Sequence, residues 1–255
     1  MLLAIDIGNT NIVIGGIADD VIRFKARIAT DYLKTSDQYG VEIKNMLEAF
    51  GVKREDITDC IISSVVPPVF NSVNTGVIKV IGKQPMVVGP GLKSGLDIHT
   101  DIPSQVGSDM IVTAVAALAE YTAPLLLIDM GTATTVQVIE PKNVFIGGMI
   151  LPGVKVSLDS LTNRTAQLPG ISLDQPKVVV GKNTVDCMRS GIMYGTAAML
   201  DGIIDRITED QGHSYTVVAT GGLAQFIVPL CKHRIHLEKD LLLQGLNIIY
   251  KKNKK

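Results

Sequence analysis

Apolar and polar positions form two different patterns along this chain. Short apolar runs, typical of buried strands, alternate with stretches in which apolar residues recur every three or four positions, typical of amphipathic helices. The runs predict strands over residues 2–5, 12–17, 21–28, 57–66, 86–88, 125–128, 134–139, 143–148 and 217–219. The helical spacing predicts helices over residues 35–50, 67–81, 103–121, 154–161, 183–207 and 239–250. Because strands alternate with helices, we expect an α/β fold with parallel strand pairing.

The first apolar run ends in Asp-Ile-Gly-Asn-Thr-Asn at residues 6–11. Gly8 permits close approach of the backbone to a ligand, and the hydroxyl, amide and N–H groups beside it can bind an anion. The carboxylate of Asp6 would repel a phosphate unless a hydrated Mg²⁺ lay between them. The stretch therefore predicts a nucleotide site. An ordinary hairpin, with Asn9 and Thr10 as turn residues only, explains the same pattern equally well.

The same construction recurs near the middle of the chain. The apolar run 125–128 leads into Asp-Met-Gly-Thr at residues 129–132, and a strand-like pattern resumes at Thr134. Repetition of a whole unit is a signal at the level of the fold. We therefore expect two duplicated halves, residues 1–121 and residues 122–255.

Composition excludes several classes of protein. The formal net charge is −1 and no basic stripe is present, which argues against nucleic acid as a partner. Hydrophobic residues make up 46% and aromatic residues only 4%, so we expect an aliphatic core between sheets and helices. No apolar run approaches the roughly 20 residues that span a bilayer, and no charged leader precedes a long apolar segment. These features predict a soluble, cytoplasmic protein with no membrane partner.

The cysteines predict neither a disulfide framework nor a cysteine-based zinc site. Cys60, Cys187 and Cys231 are widely spaced and include no C-x-x-C pair. Cys231, His233 and His236 form a weaker candidate for a metal site, which lacks an evident fourth ligand. A polar surface connection is the preferred interpretation of that cluster.

Asp109 is a candidate base. Pro103 suits the start of a helix, which places Asp109 in the first turns, where the helix N-terminus favours the ionised carboxylate. A solvated first-turn acid is the alternative interpretation.

Two Asp-x-Gly-Thr-type turns, followed by Thr-Gly-Gly at residues 220–222, resemble the phosphate-1, phosphate-2 and adenosine motifs of the actin-like ATPase and sugar kinase superfamily. The order and spacing of further motifs, over nearly the whole chain, are similar to type III pantothenate kinase. Those motifs occupy residues 6–11, 103–109, 129–135, 148–153, 165–169, 183–184, 190–191, 220–224 and 243–250.

This resemblance implies an actin-like ATPase fold, with two ribonuclease H-like halves and ATP in the cleft between them. It implies that Asp6 holds Mg²⁺ and that a monovalent cation, K⁺ or NH₄⁺, lies near Asp129. The ATP-binding residues it implies are Asp6, Ile7, Gly8, Asn9, Thr10, Asn11, Ile12, Val13, Gly131, Thr132, Gly221 and Gly222.

The resemblance also implies the reaction. The enzyme would use ATP to convert pantothenate to 4′-phosphopantothenate, the first committed step of coenzyme A synthesis, with Asp109 accepting the hydroxyl proton. It implies a homodimer that binds pantothenate near the subunit boundary. The implied substrate-binding residues are Gly107, Ser108, Asp109, Met110 and Thr184.

Two residues depart from the family pattern on the substrate side. Met110 stands where the family usually has arginine, and Thr100 replaces an aromatic residue. These departures motivate an alternative, a non-catalytic nucleotide-binding paralogue that acts as a regulator or scaffold. Retention of Asp6, Asp109 and Asp129 favours catalysis.

Overall fold

The computed structural model describes residues 1–254, which form two compact units. The first unit contains Met1–Leu96, Asp101–Ala117 and the chain from Asp240 onward. The second contains Asp97–Thr100 and Leu118–Lys239. Because the last helix belongs to the first unit, the compact units differ from a simple cut of the chain. The division into halves at residues 121 and 122 stays a prediction.

Eleven strands and seven α-helices make up these units. The strands are β1 (Leu2–Ile7), β2 (Asn11–Ala18), β3 (Val21–Ala29), β4 (Asp59–Ser64), β5 (Met86–Val87), β6 (Asp97–Ile98), β7 (Leu125–Met130), β8 (Ala133–Glu140), β9 (Val144–Pro152), β10 (Thr216–Thr220) and β11 (Ile235–Leu237). The helices are α1 (Ser36–Ala49), α2 (Pro67–Ile81), α3 (Ser108–Glu120), α4 (Val154–Arg164), α5 (Thr184–Gln211), α6 (Ala224–Ile227) and α7 (Leu241–Asn253).

The two sheets repeat one topology. The first has the order β3-β2-β1-β4-β5, and the second repeats it as β9-β8-β7-β10-β11, with β6 added beside β9. In each, three antiparallel strands are followed by parallel pairing with the later strands. Corresponding strands of the two meanders have six, eight and nine residues. The predicted duplication is therefore visible in strand order and strand length.

The hairpin turns of the two meanders also correspond. Asp19 and Asp20 have φ values of 53° and 63°, and Lys142 and Asn143 have values of 67° and 63°. Consecutive residues with positive φ match the right-handed twist of the flanking strands. Both meanders contain a register shift shortly before this turn.

Helices cover both faces of the first sheet. Side chains of α1 and α2, including Tyr39 and Val73, pack against Ile5 and Ile62 on one face. Leu246 of α7 packs with apolar residues of the other face and with α3. This double cover explains why the strand sequences are almost continuously apolar.

One predicted helix is wrong at its start. Pro103–Gln105 forms a single 3-10 turn, and α3 begins only at Ser108. Val106 between them has an extended backbone, with φ −68° and ψ 122°, so the chain leaves the helical conformation after the turn that proline favours. Strands β6 (Asp-Ile) and β11 (Ile-His-Leu) were not predicted, because each contains a polar residue and lacks the short apolar run that marks the equally short β5.

The longest helix, α5, has 28 residues, but charged residues recur along it. Among residues 1–254, no helix has both the length and the apolar character needed to cross a membrane.

Candidate active site

The turn at residues 8–11 closes the hairpin between β1 and β2. The N–H of Gly8 donates to the carbonyl of Asn11 at 3.1 Å. Thr30, just after β3, holds this turn from the side, because its hydroxyl donates to the Gly8 carbonyl at 2.6 Å and its N–H donates to the Thr10 carbonyl at 3.0 Å. Asn9 is exposed at the tip. The hairpin and the predicted phosphate loop are therefore the same element, and the two interpretations are compatible.

Not all residues of this predicted stretch offer a side chain to a ligand. Ile7 and Ile12 are fully buried in the core between the sheet and helices α1 and α2. Val13 packs on the opposite side of the sheet. These three residues can meet a nucleotide only through their backbone or by shaping the turn.

Asp6 lies near the carboxyl end of β1 and is only 6% exposed. One of its carboxylate oxygens accepts a hydrogen bond from the hydroxyl of Ser63 on β4. A buried carboxylate requires compensating partners. Mg²⁺ is usually held by one or two carboxylates together with waters and substrate phosphates, so a single oriented aspartate fits this ion.

Ser108 fixes the start of α3 against β4. Its hydroxyl oxygen accepts a hydrogen bond from the N–H of Ser64 at 3.1 Å and donates to the Ser64 carbonyl at 3.0 Å. Since Ser63 carries the bond to Asp6, consecutive residues of β4 connect Asp6 and the helix that bears Asp109.

The carboxylate of Asp109 turns back toward the backbone of the neighbouring residues Gly107 and Met110. The N–H of Met110 donates to its Oδ1 at 2.8 Å, and a Cβ built on Gly107 would lie 2.4 Å from the same oxygen. Burial raises the pKa of Asp109, and this effect outweighs the bond from Met110, which lowers it. The sequence-based expectation that the helix N-terminus would favour ionisation was therefore wrong about the balance. A raised pKa makes the carboxylate a stronger base.

The second unit repeats the turn in a shorter form. Asp129 lies near the end of β7, half-buried, beside Thr135 on β8 and Thr220 on β10. The N–H of Gly131 donates to the carbonyl of Ala133 at 3.0 Å. Thr132 is exposed at the tip.

Two glycines bring other loops of the second unit onto this turn. The N–H of Gly153 donates to the Thr132 carbonyl at 3.1 Å, and a Cβ on Gly153 would lie 2.3 Å from that oxygen. Gly221 has φ +100°, and a Cβ there would lie 2.5 Å from the Met130 carbonyl oxygen. The predicted residues Gly221 and Gly131 thus lie in one cluster, with exposed Gly222 following.

Gly153 adjoins the Thr132 turn, although the sequence did not lead us to assign it to the site. It precedes α4, whose first N–H groups therefore begin beside the Thr132 turn. Free N–H groups at a helix start bind anions. The Pro-Gly pair before a helical pattern was the available signal.

The predicted substrate residues are divided between the units. Gly107, Ser108, Asp109 and Met110 belong to the first unit, whereas Thr184 begins α5 in the second. Asn183 caps α5 as predicted, since its side-chain oxygen accepts the N–H of Asp186 at 2.9 Å. The predicted nucleotide cleft between the halves stays a prediction.

The cluster of Cys231, His233 and His236 has structural contacts. His233 Nε2 lies 2.8 Å from a carboxylate oxygen of Asp205, and the ring of His236 lies 5.1 Å from that of Tyr121. Among the residues that the structure describes, no group of three or more histidine, cysteine or acidic side chains could hold a metal.

Solved structures share this fold at low sequence identity. One is (R)-2-hydroxyglutaryl-CoA dehydratase component A from Acidaminococcus fermentans, with 17% identity, a TM-score of 0.59 and 99% of both chains covered. Another is inorganic polyphosphate/ATP-glucomannokinase from Arthrobacter sp. strain KM, with 13% identity, a TM-score of 0.51 and 99% of both chains covered. The duplicated sheet and its paired aspartate turns define a protein of the actin-like ATPase and sugar kinase fold.

Sequence comparison identifies the family within that class. The model of the type III pantothenate kinase family matches residues 2–206. A type III pantothenate kinase from Exiguobacterium sp. strain AT1b is 44% identical over 255 residues, which cover 100% of both chains. The chain belongs to the type III pantothenate kinase family and is a kinase.

Proposed function

We propose that Asp109 is the base and Asp6 the metal-bearing carboxylate in the family's reaction. That reaction, the ATP-dependent phosphorylation of pantothenate in coenzyme A biosynthesis, is the activity of this chain. The single observation that carries the residue assignment is the double hydrogen bond between Ser108 and Ser64. It holds the helix of Asp109 on the strand that also binds Asp6.

Each aspartate turn would bind phosphate within its own unit, and the first N–H groups of α4 would add donors in the second. Support comes from the exposed tips at Thr10 and Thr132, which offer hydroxyl and backbone donors. The tight packing of Gly153 and Gly221 around residues 130–132 leaves no room for a side chain there. A cation beside Asp6 would be Mg²⁺, which neutralises phosphate charge when bound.

Phosphoryl transfer has a loose transition state, so catalysis depends mainly on alignment and on charge neutralisation. The chain's own task is to hold the acceptor hydroxyl in line with the γ-phosphate. Asp109 would take the hydroxyl proton at Oδ2, since Oδ1 is engaged by the N–H of Met110. The product would be 4′-phosphopantothenate.

We assign Asp129 to a monovalent cation, K⁺ or NH₄⁺. Its half-buried carboxylate stands at the carboxyl end of β7, beside the hydroxyl-bearing residues Thr135 and Thr220. Such oxygen-rich surroundings suit a weakly hydrated cation at the edge of a phosphate site.

A homodimer is supported by exposed apolar side chains of the second unit. Ile150, Val179 and Val180 are 75%, 64% and 79% exposed, respectively. Val179 and Val180 are adjacent in the chain, and exposed apolar residues that adjoin one another are a feature of protein interfaces. The three cysteines are free, which agrees with a cytoplasmic location.

The decisive experiment is a coupled assay of ADP release with and without pantothenate, comparing Na⁺ with K⁺ and NH₄⁺ at constant ionic strength. We expect pantothenate-dependent turnover that rises in K⁺ or NH₄⁺, and loss of this difference in Asp129→Ala. Equal rates in the three salts would overturn the cation site. ATP binding without turnover would instead support the regulatory paralogue.

A further inference from the structure

Helices α1 and α2 cross in direct backbone contact at Gly40 and Gly76. A Cβ on Gly76 would lie 2.7 Å from the Ser36 carbonyl oxygen and 2.9 Å from the Gly40 nitrogen. Beside this crossing, one face of α1, the end of α2 and residues 51–54 line a cavity of about 710 Å³ that is open to solvent. Small-molecule sites typically measure roughly 300 to 1,000 Å³.

The wall of this cavity is aliphatic. Val41, Leu47, Val52 and Val80 line it, and Val41 is 57% exposed although it lies on a helix with a well-packed core face. Among the described residues that line the cavity, none carries an aromatic ring or a hydroxyl group. The cavity therefore lacks the stacking surface that nucleobases use and offers contact to an alkyl chain.

Two of the four cations at the cavity have acidic partners. Lys79 lies 2.7 Å from the carboxylate of Asp37, and Lys44 lies 3.6 Å from that of Glu48. Each lysine–carboxylate pair has no net charge. The two acids are therefore neutralised and do not favour a cationic ligand.

The other two cations, Lys53 and Arg54, form no ion pair within residues 1–254. They stand next to Gly51, whose backbone has φ +68° and faces open space. Asp56, which accepts the backbone N–H of Lys53 at 2.9 Å, does not line the cavity and forms no ion pair with either cation. The lining residues thus combine an apolar wall with a net positive charge at one end, an arrangement that complements an amphipathic anion.

We propose that this cavity binds a small aliphatic carboxylate, with the alkyl chain on the valine and leucine wall and the carboxylate at Lys53 and Arg54. The residues lie outside both aspartate turns, and the inference does not depend on the kinase reaction. Binding would remove Val41 from water and provide the two cations with a counter-charge.

Calorimetric titration of the full chain with octanoate tests the proposal. We expect saturable binding below the concentration at which octanoate forms micelles. Lys53→Gln should weaken binding about tenfold, the low end expected for a charged hydrogen bond, because the site is open to water. Lys239→Gln, which removes an exposed lysine elsewhere, should leave the affinity unchanged. Lys53 is the better residue to substitute, because the Arg54 guanidinium packs beside Gly82 at the end of α2 and its replacement would also change that contact.

Two further measurements separate the parts of the proposal. Val41→Asp should abolish octanoate binding while the melting temperature stays within the range of the other variants. Octan-1-ol, which has the same chain without the charge, should bind at least about tenfold more weakly. Absence of saturable binding, an unchanged affinity in Lys53→Gln, or equal affinity for the alcohol would overturn the proposal.

Discussion

The Ser108 hydroxyl bonds both backbone groups of Ser64, accepting from the N–H and donating to the carbonyl. Because the hydroxyl both donates and accepts a hydrogen bond, it fixes the orientation of the first turn of α3 as well as its distance from β4. Ser64 is the last residue of β4, where a sheet strand would otherwise leave backbone groups unpaired. The same bonds therefore complete the strand end and position the residue that follows Ser108.

We predict that Ser108→Ala lowers kcat by about 10²-fold while ATP still binds. The substitution leaves the two backbone groups of Ser64 without their partner and frees the first turn of α3, and small displacements of a catalytic group have large effects on rate. Steady-state kinetics and nucleotide titration measure the two effects separately. Ser160→Ala, on the exposed face of α4, serves as the control. A wild-type kcat in Ser108→Ala would remove the positioning role.

Asp109→Asn is predicted to bind ATP nearly normally and to lose turnover by roughly 10²- to 10⁴-fold, the usual effect of removing a general base. The amide oxygen can still accept the N–H of Met110, so the loop should keep its shape. Single-turnover assays with bound ATP measure the chemical step directly. Asp101→Asn, an exposed acid in the preceding segment, should retain full activity.

The same substitution should stabilise the fold at neutral pH. Burial raises the pKa of Asp109 above its ordinary value of 3.8, so the folded state binds a proton more readily than the unfolded state. The contribution of Asp109 to wild-type stability is therefore greatest below pH 3.8, falls as pH rises through the raised pKa, and stays lower above it. The asparagine side chain carries no charge at any pH, so the variant avoids this loss.

Urea denaturation of both proteins, below the ordinary aspartate pKa and at neutral pH, measures the difference. We expect the free energy of unfolding of Asp109→Asn to exceed that of wild type by more at neutral pH than at the acidic pH. An identical difference at both pH values would show that ionisation of Asp109 does not affect stability.

Gly221→Ala should impair both stability and nucleotide binding. The residue has φ +100°, and the added Cβ would lie 2.5 Å from the Met130 carbonyl oxygen, so the turn must shift. We expect a loss of about 1–3 kcal/mol in the free energy of unfolding. Gly195→Ala is the matched control, since its Cβ would meet nothing within 4 Å, and it should gain roughly 0.5–1 kcal/mol as a helical residue. Equal effects in the two variants would contradict the packing argument.

Much of the fold could be predicted because the duplicated meander has a strong local signal. The run before Asp6 and the run before Asp129 are fully apolar, and the turns after them carry the same residue types. The start of α3 could not be predicted, since Pro103 favours a helix and nothing local shows that Val106 returns to an extended backbone. That choice is made by the contact of Ser108 with a strand distant in sequence.

Residues of the candidate site could be proposed from the sequence, but the pKa shift of Asp109 could not. Asp109 was identified from its motif, but the direction of its pKa shift depends on burial, which a single sequence does not reveal. Gly153 was missed as a partner of Thr132 because the contact joins two turns of different strands. In the sequence, the only sign of such a close approach between two backbones is a glycine.

Met110 provides the last prediction. It follows Asp109, the proposed base, on α3, and its side chain can offer only apolar contact to a substrate carboxylate. Met110→Arg is expected to lower the KM for pantothenate by roughly 10- to 150-fold at nearly constant kcat, since a guanidinium adds a charged hydrogen bond. Met110→Leu, which keeps size and polarity, is the control and should leave KM unchanged.

Arg164 and Lys155, both exposed on α4, and a residue across the expected dimer are the candidates for the donor that wild type uses instead. If one of them meets the carboxylate, its alanine variant should raise KM by a similar factor, and Met110→Arg should restore it in the double variant. A KM that Met110→Arg leaves unchanged would place the carboxylate away from α3. Turnover that appears only in Met110→Arg would instead identify wild type as the non-catalytic paralogue, because the missing donor would then be the reason for its inactivity.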